Sequence, residues 1–449
     1  FGVVTLTAAP QTFVRVRIRT ADGREGRGVA AEMLAPKWFD KSADLTNEDN
    51  FDQLRRALAI ATRTYLKQSD PQTAFGLHAA CADRHASDCA AVGLPPLVAS
   101  FGTALLDRAI LDALLRLHGV SVFDGAQANL FGLDGRLTPE LDGFDFDAFL
   151  SGRRAAGQIA LRHTVGMVDP ITDADVTEDS RVGDGLPETL EQVIDTYGVT
   201  HFKLKVGGDM AADIDRLTAI AGVLDRLPAY AATLDGNEQY ADVDGILALW
   251  RRIGETTALQ RLAESVLFIE QPISRQVALS SDITPLARVK PVEIDESDGD
   301  LDAFVQARAL GYTGISSKSC KGFYRSLLNR ARCDHWNAAE GAERFFMSAE
   351  DLTTQAGIGV QEDLALVSLI GCTHVERNGH HYVRGFTGAS QKEQEAFLQA
   401  HPDLYHRPSD TVVLKITDGQ LSVASLDTPG LGSGAMPDFA ALTSCDYAT

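Results

Sequence analysis

Two lysines separated by one leucine, Lys203 and Lys205 in Thr200-His-Phe-Lys-Leu-Lys-Val-Gly-Gly208, set an electrostatic problem. On a strand, residues two apart share a face, so both ammonium groups project together while Phe202, Leu204 and Val206 turn the other way. Like charges in an interior need an anionic partner. Acids close three later apolar runs. Asp235 ends Ala-Thr-Leu-Asp and leads into Gly-Asn237, Glu270 ends Val-Leu-Phe-Ile-Glu and leads into Gln-Pro272, and Asp295-Glu296 ends Pro-Val-Glu-Ile. Lys318 ends the next run, Gly-Ile-Ser-Ser. Three converging carboxylates repel unless a cation lies between them, and hard oxygen ligands select Mg2+ with positions left open for water or substrate. Asp235, Glu270 and Asp295 are therefore the expected metal ligands. Alternation with Val292 and Ile294 turns Asp295 inward, along with Glu293, whose charge would lie awkwardly deep; Glu296 is the alternative ligand.

A lysine acts as a base only when neutral, and its ordinary pKa is about 10.4. Burial, the like charge of Lys203 and the metal are expected to depress Lys205, leaving Lys203 cationic to hold a substrate carboxylate while Lys205 takes a proton. Lys318 faces the same carbon from across the mouth.

These residues need elements that place them at one end of a sheet. From about residue 158, short apolar runs alternate with amphipathic stretches. Strands are expected near 158–164, 201–206, 230–235, 266–270, 291–295, 313–318, 344–348 and 372–376. Helices are expected at 187–197, 210–226, 241–253, 279–288, 300–310, 322–333 and 359–369. Eight βα units imply a parallel sheet with right-handed crossovers, closed as a barrel whose active groups stand at the C-terminal strand ends. A doubly wound open sheet is the alternative, but no GxGxxG opens a helix. Ahead of this region, residues 12–31 read as a strand pair, 31–40 as a loop with an exposed Trp38 that could lie over a pocket, and 49–67 and 96–118 as helices. The polar stretch 70–95 holds His78, Cys81, His85 and Cys89 at spacings that match no standard metal site. Residues 124–156, rich in Gly and Asp, read as a linker. A hairpin near 412–423 is expected to return to the first domain.

Composition limits the partners. The 449 residues carry a formal net charge of −21 and are 45% hydrophobic, which is globular and disfavours nucleic acid or an anionic membrane. No apolar run reaches the roughly 20 residues of a membrane span. Phe1 to Arg15 lacks the pattern of a signal peptide. Six cysteines without CxxC spacing are expected to be free thiols of a cytoplasmic protein.

With Lys203-x-Lys205, Asp235-x-Asn237, Glu270-Gln-Pro272, Asp295-Glu296-Ser297 and Lys318-x-x-Lys321-Gly322 in this order, the chain resembles the enolase superfamily over nearly its whole length. Within it, the mandelate racemase/muconate lactonizing enzyme family is similar, nearest its muconate-lactonizing-enzyme-like branch. The resemblance implies an α/β fold: a modified TIM barrel, (β/α)7β, over residues 151–404. An N-terminal α+β capping domain over 1–150 would be completed by 405–449. It also implies Mg2+-assisted removal of a proton next to a carboxylate, through an enediolate; this superfamily is itself the standard example of a lysine or histidine base working with Mg2+. Strand seven, Phe345-Phe-Met-Ser-Ala-Glu350-Asp351, lacks the histidine of mandelate-racemase-like members, which favours the lysine pair as acid and base. Strand eight, His374-Val-Glu376-Arg-Asn378, is a weaker version of the Asp-x-Asp that dipeptide epimerases present. Residues 65–97 look like additional capping-domain sequence. Lys203, Asn237, Trp38, Glu350 and Glu376 are the expected substrate-facing set.

The expected activity is racemisation or epimerisation of a small carboxylic or amino-acid-type substrate. The alternatives from the same intermediate are acid-sugar dehydration and cycloisomerisation. A Schiff-base aldolase and a non-catalytic binding barrel are the readings from outside that chemistry. Barrels with capping domains commonly assemble, so a homo-oligomer is expected.

Overall fold

The computed structural model of the chain describes residues 10–352 and 354–443. Cys445 and the outer parts of the segments 1–15 and 405–449 lie outside these residues.

The chain opens with an antiparallel pair, β1 (Gln11–Arg19) and β2 (Glu25–Met33), in register from Gln11–Met33 to Arg19–Glu25. Three helices follow, α1 (Asn47–Leu66), α2 (Ala74–Ala90) and α3 (Pro96–His118); α3 packs on the pair, and α1 and α2 pack on α3. Thr46 and Asp49 cap α1 reciprocally, and α3 starts on a proline and stops at Gly119 in the left-handed region. β2 lies so close to α3 that a Cβ on Gly28 would stand 2.2 Å from the Ala109 carbonyl oxygen.

The stretch 70–95 is largely helical rather than irregular. Cys81, His85 and Cys89 recur at helical spacing and are buried, and His85 Nε2 lies 2.8 Å from the Ala99 carbonyl of α3. They are core residues, and the five cysteines among the described residues are free. The 124–156 linker also carries structure, with helices at Val122–Gln127 and Phe146–Ser151.

Eight strands then run parallel: β3 (Gln158–Val165), β4 (His201–Lys205), β5 (Ala231–Asp235), β6 (Val266–Glu270), β7 (Val292–Ile294), β8 (Gly314–Ser317), β9 (Phe346–Ala349) and β10 (His374–Glu376). Neighbours in sequence pair from β3 to β9, and β10 pairs with β3. A parallel bridge joins Glu350 to Glu376, and Asp351 N–H donates to the Glu376 carbonyl at 3.0 Å. The arrangement is TIM-barrel-like. Outward residues such as Phe202, Leu204, Leu234, Ile269, Val292, Ile294 and Ile315 form one core with the surrounding helices. Inward positions hold Arg162, Thr233, Phe268, Glu293 and Ser348.

Two expectations fail here. The helix expected over 279–288 is two single turns, Arg275–Ala278 and Thr284–Ala287, because Pro285 allows a helix only to restart beside it. The C-terminal hairpin, β13 (Ile416–Thr417) and β14 (Gln420–Ser422), follows a small pair formed by β11 (Tyr405–His406) and β12 (Val413–Leu414). It joins the barrel sheet antiparallel to β3, with Leu421 opposite Ile159, and not the first sheet. Among the described residues, those beyond it reach the N-terminal elements: Leu431 N–H donates to Asp112 and Phe439 stacks edge-on against Phe13.

No helix among the described residues is long and apolar enough to cross a membrane.

Candidate active site

The alternation of β4 settles the first question. Phe202 and Leu204 are buried against the helices, and Lys203 and Lys205 point into the ring of strands. The β4–β5 register places Lys205 opposite Asp235, and the next ones place Asp235 beside Glu270 and Glu270 beside Glu293. Each acid is brought in by pairing of its strand with the one before, which is why they meet despite being about 25 to 35 residues apart.

Lys203 is almost fully buried, and its Nζ stands 2.6 Å from Glu270, 2.8 Å from Glu376, 3.1 Å from Asp235 and 3.2 Å from Glu350. Burial alone would depress its pKa, but these four acids hold the ammonium well above its ordinary range. Lys205 lies nearer the surface, donating to Asp235 at 2.9 Å and to Asn237 Oδ1 at 3.1 Å. Among the protein's own groups, Lys205 is raised rather than depressed. Burial and the Lys203 charge push it down, but Asp235 and Glu376 outweigh them and leave it raised.

Across the mouth, Lys318 donates to Asp295 at 2.8 Å and also contacts Glu350. Its Nζ lies 5.0 Å from the centre of the Trp38 ring. Trp38 is buried, not exposed: it packs edge-on against Phe39, which packs on Phe101 of α3. Lys318 is likewise held charged, burial being outweighed by Asp295 and Glu350.

Glu270, Asp295 and Glu350 are buried and each offers an oxygen within 4.8 Å of the others. Glu270 Oε2 has no hydrogen-bond partner among the described residues. Burial and the neighbouring Asp235 and Glu350 push Glu270 well above the carboxylate range. Asp295 goes the other way: burial opposes ionisation, but Lys318, Lys321 and Lys203 hold it well below that range. Hard oxygens, mutual repulsion and an unpartnered atom are what a divalent cation requires, so the residues fit Mg2+. The geometric trio shares Glu270 and Asp295 with the sequence-derived one. It has Glu350 in place of Asp235, whose Oδ2 faces both Lys203 and Lys205. Glu296 turns away from the trio, to Lys41 at 3.1 Å.

Glu293, the awkward inward charge, is fully buried. Burial and Glu350 raise it to about 8, so it is largely protonated at neutral pH, and one oxygen accepts from Ser348 at 2.8 Å. Sequence reasoning missed Arg162, whose guanidinium lies 3.5 Å from Glu350 beneath the site, and Lys321, 3.0 Å from Asp295. It also missed Glu238 and Arg275 at the rim, 2.9 Å apart. Lys321 was visible as the second lysine of Lys318-x-x-Lys321. The others carry no local signal, since each depends on a partner at least 37 residues away.

Comparisons place this geometry among known proteins. The chain is similar over 96% of its length to a mandelate racemase/muconate lactonizing protein from Herpetosiphon aurantiacus, with TM-score 0.55, 16% identity and 97% of that chain covered. The muconate lactonizing enzyme from Pseudomonas putida gives TM-score 0.55 at 19% identity, covering 96% of this chain and 92% of that one. A racemase from Streptomyces coelicolor A3(2) with bound magnesium gives TM-score 0.55 at 16% identity, covering 96% and 94%. No curated protein matches the chain. The enolase C-terminal domain-like family matches residues 185–438, more than half of the sequence. The chain therefore belongs to the enolase C-terminal domain-like family, in its mandelate racemase/muconate lactonizing enzyme group, whose members are Mg2+-binding enzymes.

Proposed function

We propose that the protein catalyses 1,1-proton transfer at the carbon next to a carboxylate, as a racemase or epimerase of a small carboxylic or amino-acid-type substrate. The observation that carries this reading is the pair Lys205 and Lys318, on strands four apart in the ring, with the carboxylate cluster between them. Mg2+ at this cluster supplies positive charge that stabilises the negative charge developing on the substrate carboxylate. Glu270 and Asp295 would hold it, with the third oxygen from Asp235 or from Glu350. Lys203 stays cationic, and in this reading it orients the substrate carboxylate with Asn237 and Glu376 beside it. Lys205 removes the proton from one face and Lys318 returns one to the other. Lys205 must first lose the proton that Asp235 helps it hold, whereas Lys318, held charged, already carries the one it returns. Trp38 walls the Lys318 side.

The same intermediate with a leaving group on the β-carbon gives dehydration or cycloisomerisation, and substrate alone separates those outcomes. A Schiff-base aldolase has no use for the buried carboxylate trio Glu270, Asp295 and Glu350. The (β/α)7β ring over 151–404 is read as closed, supported by the Glu350–Glu376 bridge. The capping domain is read as 1–150 with 405–449, supported by the Asp112–Leu431 contact. A cytoplasmic homo-oligomer remains part of the proposal.

The test is incubation of chiral carboxylates in D2O with Mg2+, read by mass and polarimetry. α-Deuterium should enter, and entry should stop in Lys205→Ala for one enantiomer and in Lys318→Ala for the other. Exchange of both enantiomers that survives either substitution would sink the two-base assignment.

A further inference from the structure

The segment between β2 and α1, residues 34–46, crosses the mouth of the strand ring, and its attachment converges on one acid. Glu238 Oε1 accepts from the backbone N–H and Nε of Arg275, at 2.7 and 2.9 Å. Its Oε2 accepts from Arg275 Nη2 at 2.9 Å and lies 2.6 Å from Lys41 Nζ. Arg275 uses two further hydrogens on the segment itself, donating to the carbonyls of Trp38 and Phe39 at 3.1 Å each. Lys41 adds Glu296 at 3.1 Å. The guanidinium thus joins an acid on the β5 loop to the backbone that carries the Trp38 ring over Lys318.

The residue before Glu238, Asn237, faces Lys205. Asn237 and Glu238 both adopt left-handed backbone, with φ of 44° and 69°, a conformation that is uncommon for non-glycine residues and persists only where its surroundings impose it. The turn is pressed against the next strand end, since a Cβ on Gly236 would stand 2.5 Å from the Pro272 Cα. Glu238 N–H donates to the Gln271 carbonyl at 2.9 Å. This turn aims the Asn237 side chain at Lys205. The paired charges are only partly exposed, with side-chain accessibilities of 8% for Glu238 and 20% for Arg275, so solvent weakens them less than a surface pair.

We propose that Glu238 is a positioning residue that sets the surroundings of both lysines at once. It fixes the Asn237 turn beside Lys205 and, through Arg275 and Lys41, holds the 34–46 segment so that Trp38 covers Lys318. This rests on the reading of those lysines as the proton-transfer pair, but its structural half is measurable without any substrate.

The experiment compares the full chain with Glu238→Gln and Arg275→Lys. A lysine cannot serve both carbonyls and the carboxylate, so both variants should loosen the same segment. Amide hydrogen exchange in residues 34–46 should rise about tenfold or more while other segments keep their protection. Acrylamide quenching of tryptophan emission should rise as well, and the rise should vanish when Trp38→Phe is added. Mg2+ affinity and the thermal midpoint should stay near those of the parent. Where α-deuterium exchange of a carboxylate has been found, it should fall about tenfold or more, since small misplacements of reacting groups are costly. Glu238→Asp, which keeps the charge, should recover part of it. Unchanged exchange and quenching in both variants would overturn the proposal. So would loosening accompanied by lost Mg2+ affinity and a lower midpoint, which marks a general structural role. If no carboxylate exchanges, the proton-transfer reading fails, while exchange and quenching still decide whether Glu238 holds the segment.

Discussion

Among the buried clusters of charge in the described residues, two are built on different cations. Where α3 meets the barrel helix Ile358–Leu369, Arg108 reaches Glu32 of β2 with one nitrogen and Glu362 of that helix with another, both at 3.0 Å. At the strand ends, Lys203 and Lys318 stand among five acids at similar distances. The charged side chains of both clusters are buried. A guanidinium is a rigid fork that never gives up its proton in a protein, so it suits a joint between two bodies of structure. An ammonium is a point charge on a flexible stem, able to shift between partners and to lose a proton when its surroundings change. The difference separates holding from reacting, and exchanging the cations tests it.

The largest effect is expected from Lys205→Arg. The fold should persist, but α-deuterium exchange from the face served by Lys205 should fall by about 10²-fold or more, because a guanidinium cannot act as base. Exchange retained in this variant would place the base elsewhere. Next, Arg108→Met should leave Glu32 and Glu362 buried without their partner and cost about 3–5 kcal/mol in a denaturant titration. Arg108→Lys should recover only part of that, since one ammonium cannot replace the fork. Full recovery by lysine would erase the contrast between the clusters. A smaller effect separates the two candidates for the third metal oxygen. Calorimetric Mg2+ titration of Asp235→Asn and Glu350→Gln should weaken binding strongly for the residue that is a ligand, and equal small losses in both would remove each from that role.

The lysine cluster was far more legible in the sequence than the arginine joint, for physical reasons. Strand alternation is a local rule, so Lys203, Lys205, Asp235, Glu270, Asp295 and Lys318 could be assigned to one face and one end from their own segments. The chemistry of their neighbours could not. The depression expected for Lys205 used the metal and the one charge adjacent in sequence, whereas the Asp235 that opposes it arrives through strand register. Trp38 read as exposed because it lies in a loop, and its cover comes from Phe39, which packs on Phe101 of α3. Arg108 and Glu362 are 254 residues apart and sit in otherwise apolar helical faces, where each alone looks like a surface charge. The hairpin at 416–422 was visible as a hairpin, but nothing in two short strands says which sheet edge they complete.

The finest test of the arginine joint is its response to pH. One guanidinium serves two carboxylates, and burial pushes Glu362 well above the carboxylate range, with Arg108 only partly offsetting it and Asp112 and Glu32 adding to it. Glu32 is raised as well, again by burial first. A carboxyl raised in the folded state contributes its full stability below the unfolded value of about 4.3 and loses it as pH rises toward the folded value. Above pH 4.3 the unfolded chain releases this proton while the folded chain keeps it, so Glu362 works against the fold at neutral pH and above. Glu362→Gln cannot ionise and still offers an oxygen to Arg108. Its thermal midpoint relative to the parent should therefore be more favourable at pH 8 than at pH 5. A variant whose deficit is the same at both values, or larger at pH 8, would show that Glu362 is fully ionised against Arg108. The joint would then carry one more negative charge than this geometry implies.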